Sequence, residues 1–181
     1  ASGRMSSSNP GLQQIPARKI PEYRELFISK YPDGVIFAPD ISQQEPRVLG
    51  YLSKDKNLLQ AFINNESVHV TVARLIYDDP TIEKGEDIRY KNGKAISLGI
   101  SYGLTAQGLA QRTGLTLDDA EKLRKKYFDR FPDIDGYMYR MRNYALKHGY
   151  VETVAGRRVW LNLNHYQWEN LSINAPIQGS A

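Results

Sequence analysis

A lysine, a leucine and a tyrosine recur at intervals of four residues in one segment, at Lys94, Leu98 and Tyr102. In an α-helix each step of four residues drifts by only about 40°, so the three side chains are predicted to lie along one stripe. Gly99 and Gly103 lie in the same segment. Each glycine destabilises a helix by about 1 kcal/mol relative to alanine. This cost is explained if another molecule or chain segment must approach the helix backbone closely. The alternative is an ordinary helix with a glycine C-cap and a lysine whose stem covers apolar surface.

A carboxylate stands at the end of a short apolar run. Residues 35–38 (Val-Ile-Phe-Ala) are typical of a β-strand, and the proline that follows predicts a strand end at Asp40. Ser42 to Glu45 form the S-x-x-E pattern of a helix capping box, and apolar residues at helical spacing follow with a break near Ser53. The sequence therefore predicts a strand, a tight turn that carries Asp40, and a helix.

The elements that would position these residues are mostly helical. An apolar period of about 3.6 residues predicts helices around residues 68–76, 94–102, 117–127, 134–145 and 168–173. Residues 149–161 alternate with period two around a glycine turn, which predicts a β-hairpin. Residues 1–21 are rich in Ser, Gly, Gln and Pro and predict an irregular loop. The predicted fold class is α+β, a partial sheet with a large helical insertion.

Composition excludes several classes of protein. The chain has 181 residues, 41% hydrophobic and 24% charged, with no cysteine, so a disulfide framework, a thiol nucleophile and a Cys-based zinc site are all excluded. No apolar stretch approaches the length of a membrane span, and no signal peptide precedes the domain, so a cytoplasmic location is expected. A net charge of +4 is compatible with nucleic acid but too small to argue for it alone. The absence of an initiator Met suggests a piece of a longer chain.

Five segments together resemble, in order, the motifs of the DNA polymerase I family (family A). The family forms are R-L-S-S-x-x-P-x-L-Q-x-I-P, D-Y-S-Q-I-E-L-R, K-x-x-x-(aromatic)-G-x-x-Y-G, G-Y-V-E-T-x-x-G-R-R and I-N-A-P-M-Q-G. They correspond here to residues 4–16, 40–47, 94–103, 149–158 and 173–179. The resemblance implies a template-directed DNA polymerase that adds deoxynucleotides to a primer 3′ end. It also implies a partial palm at residues 1–62, helical fingers at 63–148, and a palm hairpin with its following helix at 149–181.

The resemblance also implies roles for individual residues. Asp40 and the backbone carbonyl of Ile41 would hold Mg²⁺, of which the complete enzyme uses two ions. Lys94 would grip the triphosphate of the incoming deoxynucleoside triphosphate and donate a proton to pyrophosphate. Glu45 would exclude the sugar 2′-hydroxyl; its structural alternative is the S-x-x-E helix cap. Tyr102 would stack at the templating position. The remaining nucleotide contacts would be Arg24, Gln43, His69, Lys91 and Leu98, and the primer-template DNA contacts would be Arg4, Gln13, Gly103, Asn174 and Gln178.

The sequence departs from the family pattern at several of these positions. Tyr90 stands where the family has an arginine, and Lys91, only about 60° around the helix from Lys94, is the favoured replacement. Leu98 replaces the usual aromatic residue, as in phage-type members. The family's second metal-binding aspartate, in a His-Asp-Glu turn, does not occur in the sequence. Because one carboxylate cannot hold two metal ions, the chain alone is predicted to be inactive without a carboxyl-terminal palm segment.

Three other functions remain open from the sequence. A single-subunit phage-type RNA polymerase shares the lysine and the Tyr-Gly pair, although Glu45 and the hairpin motif count against it. A non-catalytic nucleic-acid-binding part of a split polymerase would also carry these motifs. A helical scaffold with solvated charged faces would leave the coordinated motifs unexplained.

Overall fold

The computed structural model describes residues 7–15, 20–37 and 39–181, which divide into two compact units on either side of the Ser42–Gln43 bond. The first unit contains two short 3-10 helices, Leu12–Gln14 and Pro21–Arg24, among its described residues. Residues 35–37 form no strand, and Ala38 lies outside the described residues, so the predicted strand before Asp40 is wrong within that part of the chain. The β propensity of such a run depends on cross-strand neighbours, and no described segment pairs with it.

The second unit is mostly helical, with one two-stranded sheet among its residues. The helices are α1 Gln44–Ser53, α2 Lys56–Ile63, α3 Val68–Tyr77, α4 Ile88–Ser101, α5 Ala106–Thr113, α6 Leu117–Arg130, α7 Pro132–His148 and α8 Trp168–Gln178. Strands β1 Tyr150–Glu152 and β2 Arg158–Trp160 pair antiparallel between α7 and α8. The predicted α+β class, the break after Ser53, the hairpin and all five predicted helical segments are confirmed.

The start of α1 differs from the predicted capping box. Its N-cap is Gln43, which has a left-handed conformation with φ of 55° and makes no side-chain hydrogen bond to the helix start. The helix therefore begins at Gln44, one residue later than an N-cap at Ser42 would require. The helix start thus differs from the predicted one by one residue, because the left-handed residue places the chain reversal inside the S-x-x-E pattern rather than before it.

The core of the second unit is a continuous apolar cluster between α1 and α8. Its fully buried large side chains are Leu49, Leu58, Ile100, Leu109, Tyr127, Phe131, Ile134, Tyr137, Met138, Ile173 and Ile177. Helices α3 and α4 cross closely at Gly93, where an added Cβ would lie 2.5 Å from the Cβ of Ala73. This contact fixes the distance between the two helices that carry His69 and Lys94.

One buried carboxylate joins the starts of two helices that are distant in sequence. Asp55 is the N-cap of α2, where its Oδ1 accepts a hydrogen bond of 2.8 Å from the Leu58 N–H. Its Oδ2 accepts a second bond of 2.9 Å from the Asp133 N–H in the first turn of α7. The N-cap of α7, Phe131, provides no side-chain bond, so Asp55 serves both helices.

Within the described residues, no helix is both long and apolar enough to cross a membrane.

Candidate nucleotide and nucleic-acid site

Both predicted metal ligands lie in the first unit. Asp40 is exposed, and Ile41, whose carbonyl was predicted to bind metal, is 62% exposed. Carboxylate and carbonyl oxygens are the ligands that Mg²⁺ takes. The described residues contain no group of three or more His, Asp or Glu side chains that could hold a metal ion. Asp40 and Ile41 therefore have the right chemistry for Mg²⁺ but do not make a complete site for it.

Three predicted nucleotide-site residues of the second unit line one cleft. Leu98 on α4 and Tyr102, the C-cap of α4, face Glu45 in the first turn of α1. The cleft has a volume of only about 10 Å³, close to the space of one water molecule. The Tyr102 hydroxyl is buried and makes no hydrogen bond within the described part of the chain. Glu45, Leu98 and Tyr102 thus lie together in a nearly closed cleft, and their steric and stacking roles stay predictions.

Helix α8 packs against the end of α4 at predicted DNA-contacting residues. Gly103 has φ of +82°, and a Cβ there would lie 2.8 Å from the side-chain oxygen of Asn170, so both conformation and contact favour glycine. The Asn174 Nδ2 donates a 3.4 Å hydrogen bond to the Tyr102 carbonyl. Its Oδ1 is buried and has no hydrogen-bond donor among the described residues. Gln178 ends the same helix, one turn beyond Asn174.

His69 lies at the interface between α3 and α4. The side chain is buried, with 5% exposure, and its Nδ1 is 3.4 Å from the Ser97 Oγ. Burial, together with the nearby charges of Lys94 and Lys84, lowers the pKa of His69 from 6.5 to about 4. A neutral imidazole is therefore expected at pH 7. Lys94 itself is half-buried and has no ion-pair partner among the described residues, which leaves its charge available for an anion.

Gln43 makes structural contacts across the second unit. Its Oε1 accepts a 3.0 Å hydrogen bond from the Val68 N–H, and its Nε2 donates a 3.5 Å bond to the Glu66 carbonyl. Ser67, the N-cap of α3, makes no side-chain capping bond, so Gln43 supplies a partner for an otherwise unpaired N–H at the start of α3. The side chain predicted for the nucleotide pocket thus also connects α1 to α3.

Lys91 has a partner in this structure. Its Nζ lies 2.5 Å from the Glu86 Oε2, and both side chains are exposed, so the pair contributes little to stability. Arg89 forms ion pairs with Asp79 and Asp87 at 2.6 and 2.7 Å. The replacement of the missing family arginine by Lys91 stays a prediction.

The remaining predicted contacts lie at the amino-terminal end of the chain. Arg4 lies outside the described residues. Arg24 ends the second 3-10 helix, and its side chain is likewise outside the described part. Gln13 lies exposed in the first 3-10 helix, where its N–H donates a 3.2 Å hydrogen bond to the Ser7 Oγ.

Two residues that shape this region were not predicted from the sequence. Ser97 contacts His69, and its position three residues after Lys94, on the buried side of α4, was a usable signal. Lys84 adds positive charge near His69, and no local pattern indicates it, because it lies in the loop between α3 and α4.

Comparison with known proteins places these motifs in one family. The family model for DNA polymerase family A matches residues 1–181. DNA polymerase I of Pseudomonas aeruginosa is 38% identical over the whole chain, and that of Bacillus caldotenax is 36% identical over 99% of it. The fold is similar to the solved POL domain of Pol1 from M. smegmatis, in complex with DNA primer-template and dNTP, with a TM-score of 0.84 and 36% identity. That match covers 99% of this chain and 33% of the other. The chain belongs to DNA polymerase family A, and it spans about a fifth of the length of the two curated relatives.

Proposed function

We propose that this chain is part of a template-directed DNA polymerase that transfers deoxynucleotides to the 3′ end of a primer. The observation that carries the proposal is the cleft in which Glu45, Leu98 and Tyr102 meet, in a chain that matches family A from end to end. The partners are primer-template DNA and deoxynucleoside triphosphates, as in the structural relative. The bacterial relatives support a cytoplasmic location.

The charge distribution of the second unit supports triphosphate binding at α4. Lys94 is half-buried without a counter-charge among the described residues, and Lys84 adds to the positive field near His69. A triphosphate would supply the compensating negative charge. His69 would then donate or accept a hydrogen bond as a neutral ring. Arg24 and Lys91 remain further candidates for phosphate contacts.

The geometry of the cleft implies a movement during nucleotide binding. A volume of about 10 Å³ cannot admit a base or a sugar. A nucleotide that contacts Leu98 and Glu45 therefore requires the cleft to open, and we propose that Tyr102, at the end of α4, is the side chain that moves. Glu45 would then face the sugar, where its carboxylate excludes a 2′-hydroxyl.

Mg²⁺ is the cofactor that we propose for the complete enzyme, where it would neutralise charge on the transferred phosphoryl group. Asp40 and the Ile41 carbonyl would supply two of its ligands. Two ions need more carboxylates than the described residues bring together, so further ligands would come from another palm segment.

We also propose the palm at residues 1–62 and 149–181 and the fingers at 63–148, whereas the compact units divide at Ser42–Gln43.

Primer extension tests the proposal directly. The 181-residue chain and the complete gene product would each be incubated with Mg²⁺, a primed template and the four deoxynucleoside triphosphates. We expect extension by the complete protein, none by the chain alone, and none by the complete protein with Asp40→Asn. Matched Asp33→Asn, which removes another exposed carboxylate of the first unit, should retain activity. A complete protein that binds DNA but never extends the primer would instead favour a non-catalytic binding role.

A further inference from the structure

A cavity lies between α3, α4 and α5, away from the proposed nucleotide cleft. Its volume is about 360 Å³, which is in the usual range for small-molecule sites. On α4 it is lined by Asn92, Ala95 and Ile96. In a helix, Asn92 and Ile96 lie about 160° around the axis from Lys94, whereas Leu98 lies only about 40° from it. The cavity therefore borders a different face of α4 from the one predicted to contact the nucleotide.

Two sets of contacts fix the walls of this cavity. Leu104, in the turn between α4 and α5, lines it, and an added Cβ at Gly99 or Gly108 would lie 2.8 or 2.7 Å from a Leu104 methyl carbon. These glycines let Leu104 approach both helices closely, so the packing of α4 and α5 determines its position. The Asn92 Nδ2 donates a 2.9 Å hydrogen bond to the Tyr77 hydroxyl, which joins α4 to the end of α3. The cavity is therefore formed by packed helices before any ligand binds.

Much of the cavity lining is aliphatic. Ile96 and Leu109 are buried, and Ile76 and Leu104 are half-buried. Transfer of an apolar ligand from water onto such a surface is favourable, because both apolar surfaces lose contact with water. The lining therefore favours a ligand with an apolar body.

The charge at the cavity favours an anionic group on that ligand. Arg112, in the last turn of α5, is the one charged side chain among the described residues that line the cavity. It is exposed and forms no ion pair with any residue that the structure describes. A guanidinium can bind a carboxylate through two parallel hydrogen bonds. An aliphatic lining with one available guanidinium is thus complementary to an amphipathic carboxylate.

We propose that this cavity binds a small apolar carboxylate, with its hydrocarbon chain against Ile96 and Leu109 and its carboxylate group on Arg112. Such a ligand would contact α3, α4 and α5 together and would stabilise their packing. The proposal goes beyond the polymerase function, because neither a primer nor a nucleotide takes part in the binding. Its test therefore needs no nucleotide incorporation.

Isothermal titration calorimetry of the 181-residue chain with octanoate measures this binding. We expect one octanoate site per chain. Acetate, which lacks the hydrocarbon chain, should not bind detectably. Octyltrimethylammonium, which has the same chain and the opposite charge, should bind about tenfold more weakly or worse, because it cannot accept hydrogen bonds from Arg112. No binding of octanoate, or equal affinities for octanoate and the cation, would overturn the proposal.

A substitution that fills the cavity tests the location of the site. Ala95 is exposed on α4, so Ala95→Phe should be compatible with folding, and its ring should occupy part of the cavity and abolish octanoate binding. Ile88→Phe is the matched control, because Ile88 is 66% exposed on the same helix and does not line the cavity. It should leave octanoate binding unchanged. Equal octanoate affinities for the Ala95→Phe and Ile88→Phe variants would contradict the proposed location.

A second pair of variants tests the proposed contact with the carboxylate group. Arg112→Gln should weaken octanoate binding about tenfold, because a charge-assisted hydrogen bond to the carboxylate is lost. Arg140→Gln, which removes an exposed arginine of α7 outside the cavity, should leave the affinity unchanged. Since Arg112 is exposed, its substitution should not prevent folding, and an Arg112→Gln variant with the affinity of the unmodified chain would overturn the proposal.

Discussion

His69 shows how a single buried ring makes stability depend on pH. Its folded-state pKa of about 4 lies below the ordinary value of 6.5, mainly because burial disfavours the charged ring. Between these two pH values an unfolded chain binds a proton that the folded chain does not. The free energy of unfolding therefore decreases as the pH falls from about 6.5 towards 4.

Replacing His69 by Gln should remove this pH dependence. The unmodified chain should lose up to about 3 kcal/mol of unfolding free energy across that window through His69 alone, and His69→Gln should not. Urea unfolding at several pH values between 7.5 and 4.5 measures the difference between the two proteins, which cancels the titration of carboxylates common to both. His165→Gln, which removes an exposed histidine, is the control. Parallel pH profiles for His69→Gln and the unmodified chain would contradict this account.

Glu45 can be tested for its proposed steric role in the complete polymerase. Glu45→Ala should raise the kcat/KM ratio of ribonucleotides to deoxynucleotides by about tenfold or more, because the side chain that excludes the 2′-hydroxyl is removed. Glu45→Gln retains the size of the side chain and should retain most of the discrimination. Single-nucleotide incorporation with matched ribo and deoxy substrates measures both. An equal loss with the two nucleotide types would show that Glu45 acts through the structure of α1.

At the scale of elements, the crossing of α3 and α4 depends on a residue without a side chain. Gly93→Ala would place a methyl group 2.5 Å from the Ala73 Cβ. The overpacking should cost about 1–3 kcal/mol, which exceeds the gain in helix propensity of about 1 kcal/mol. Gly136→Ala on α7, where an added Cβ would lie 3.4 Å from the flexible end of Arg140, should be neutral or stabilising. Chemical denaturation of both variants gives the comparison, and equal stabilities would contradict it.

Asp55 connects the starts of α2 and α7, and its substitution should affect both. Asp55→Ala leaves two helix N–H groups without their acceptors and should cost about 2–4 kcal/mol. Asp55→Asn keeps one acceptor oxygen and should lose roughly half as much. As a comparison, Thr116→Ala removes an exposed N-cap that accepts one backbone hydrogen bond at the start of α6, and it should lower the free energy of unfolding by about 1 kcal/mol. Urea unfolding that ranks Asp55→Ala no lower than Thr116→Ala would contradict the double cap.

The sequence predicted those elements whose determinants are local. The apolar period around Lys94 and the glycine turn at Gly156 each specify an element within a few residues, and α4 and the hairpin are present. The strand before Asp40 failed because strand formation requires a partner distant in the chain. The bond from Asp55 to Asp133 spans 78 residues, and no local pattern could indicate it. The grouping of Glu45 with Tyr102 was predicted from the family resemblance. Residue spacing alone predicted only which side chains share one face of α4.

At the scale of the whole molecule, the apolar core lies entirely within the second unit. Every described residue of the main cluster lies between Leu49 and Ile177. Cooperative unfolding arises from such a shared core, so a chain that starts at Gln43 should retain one transition with a melting temperature near that of the 181-residue chain. A chain that lacks residues 168–181 should lose the transition, because α8 contributes the fully buried Ile173 and Ile177. Calorimetry of the three chains tests this expectation. If the fold instead requires residues 1–42, the chain that starts at Gln43 would show no cooperative transition.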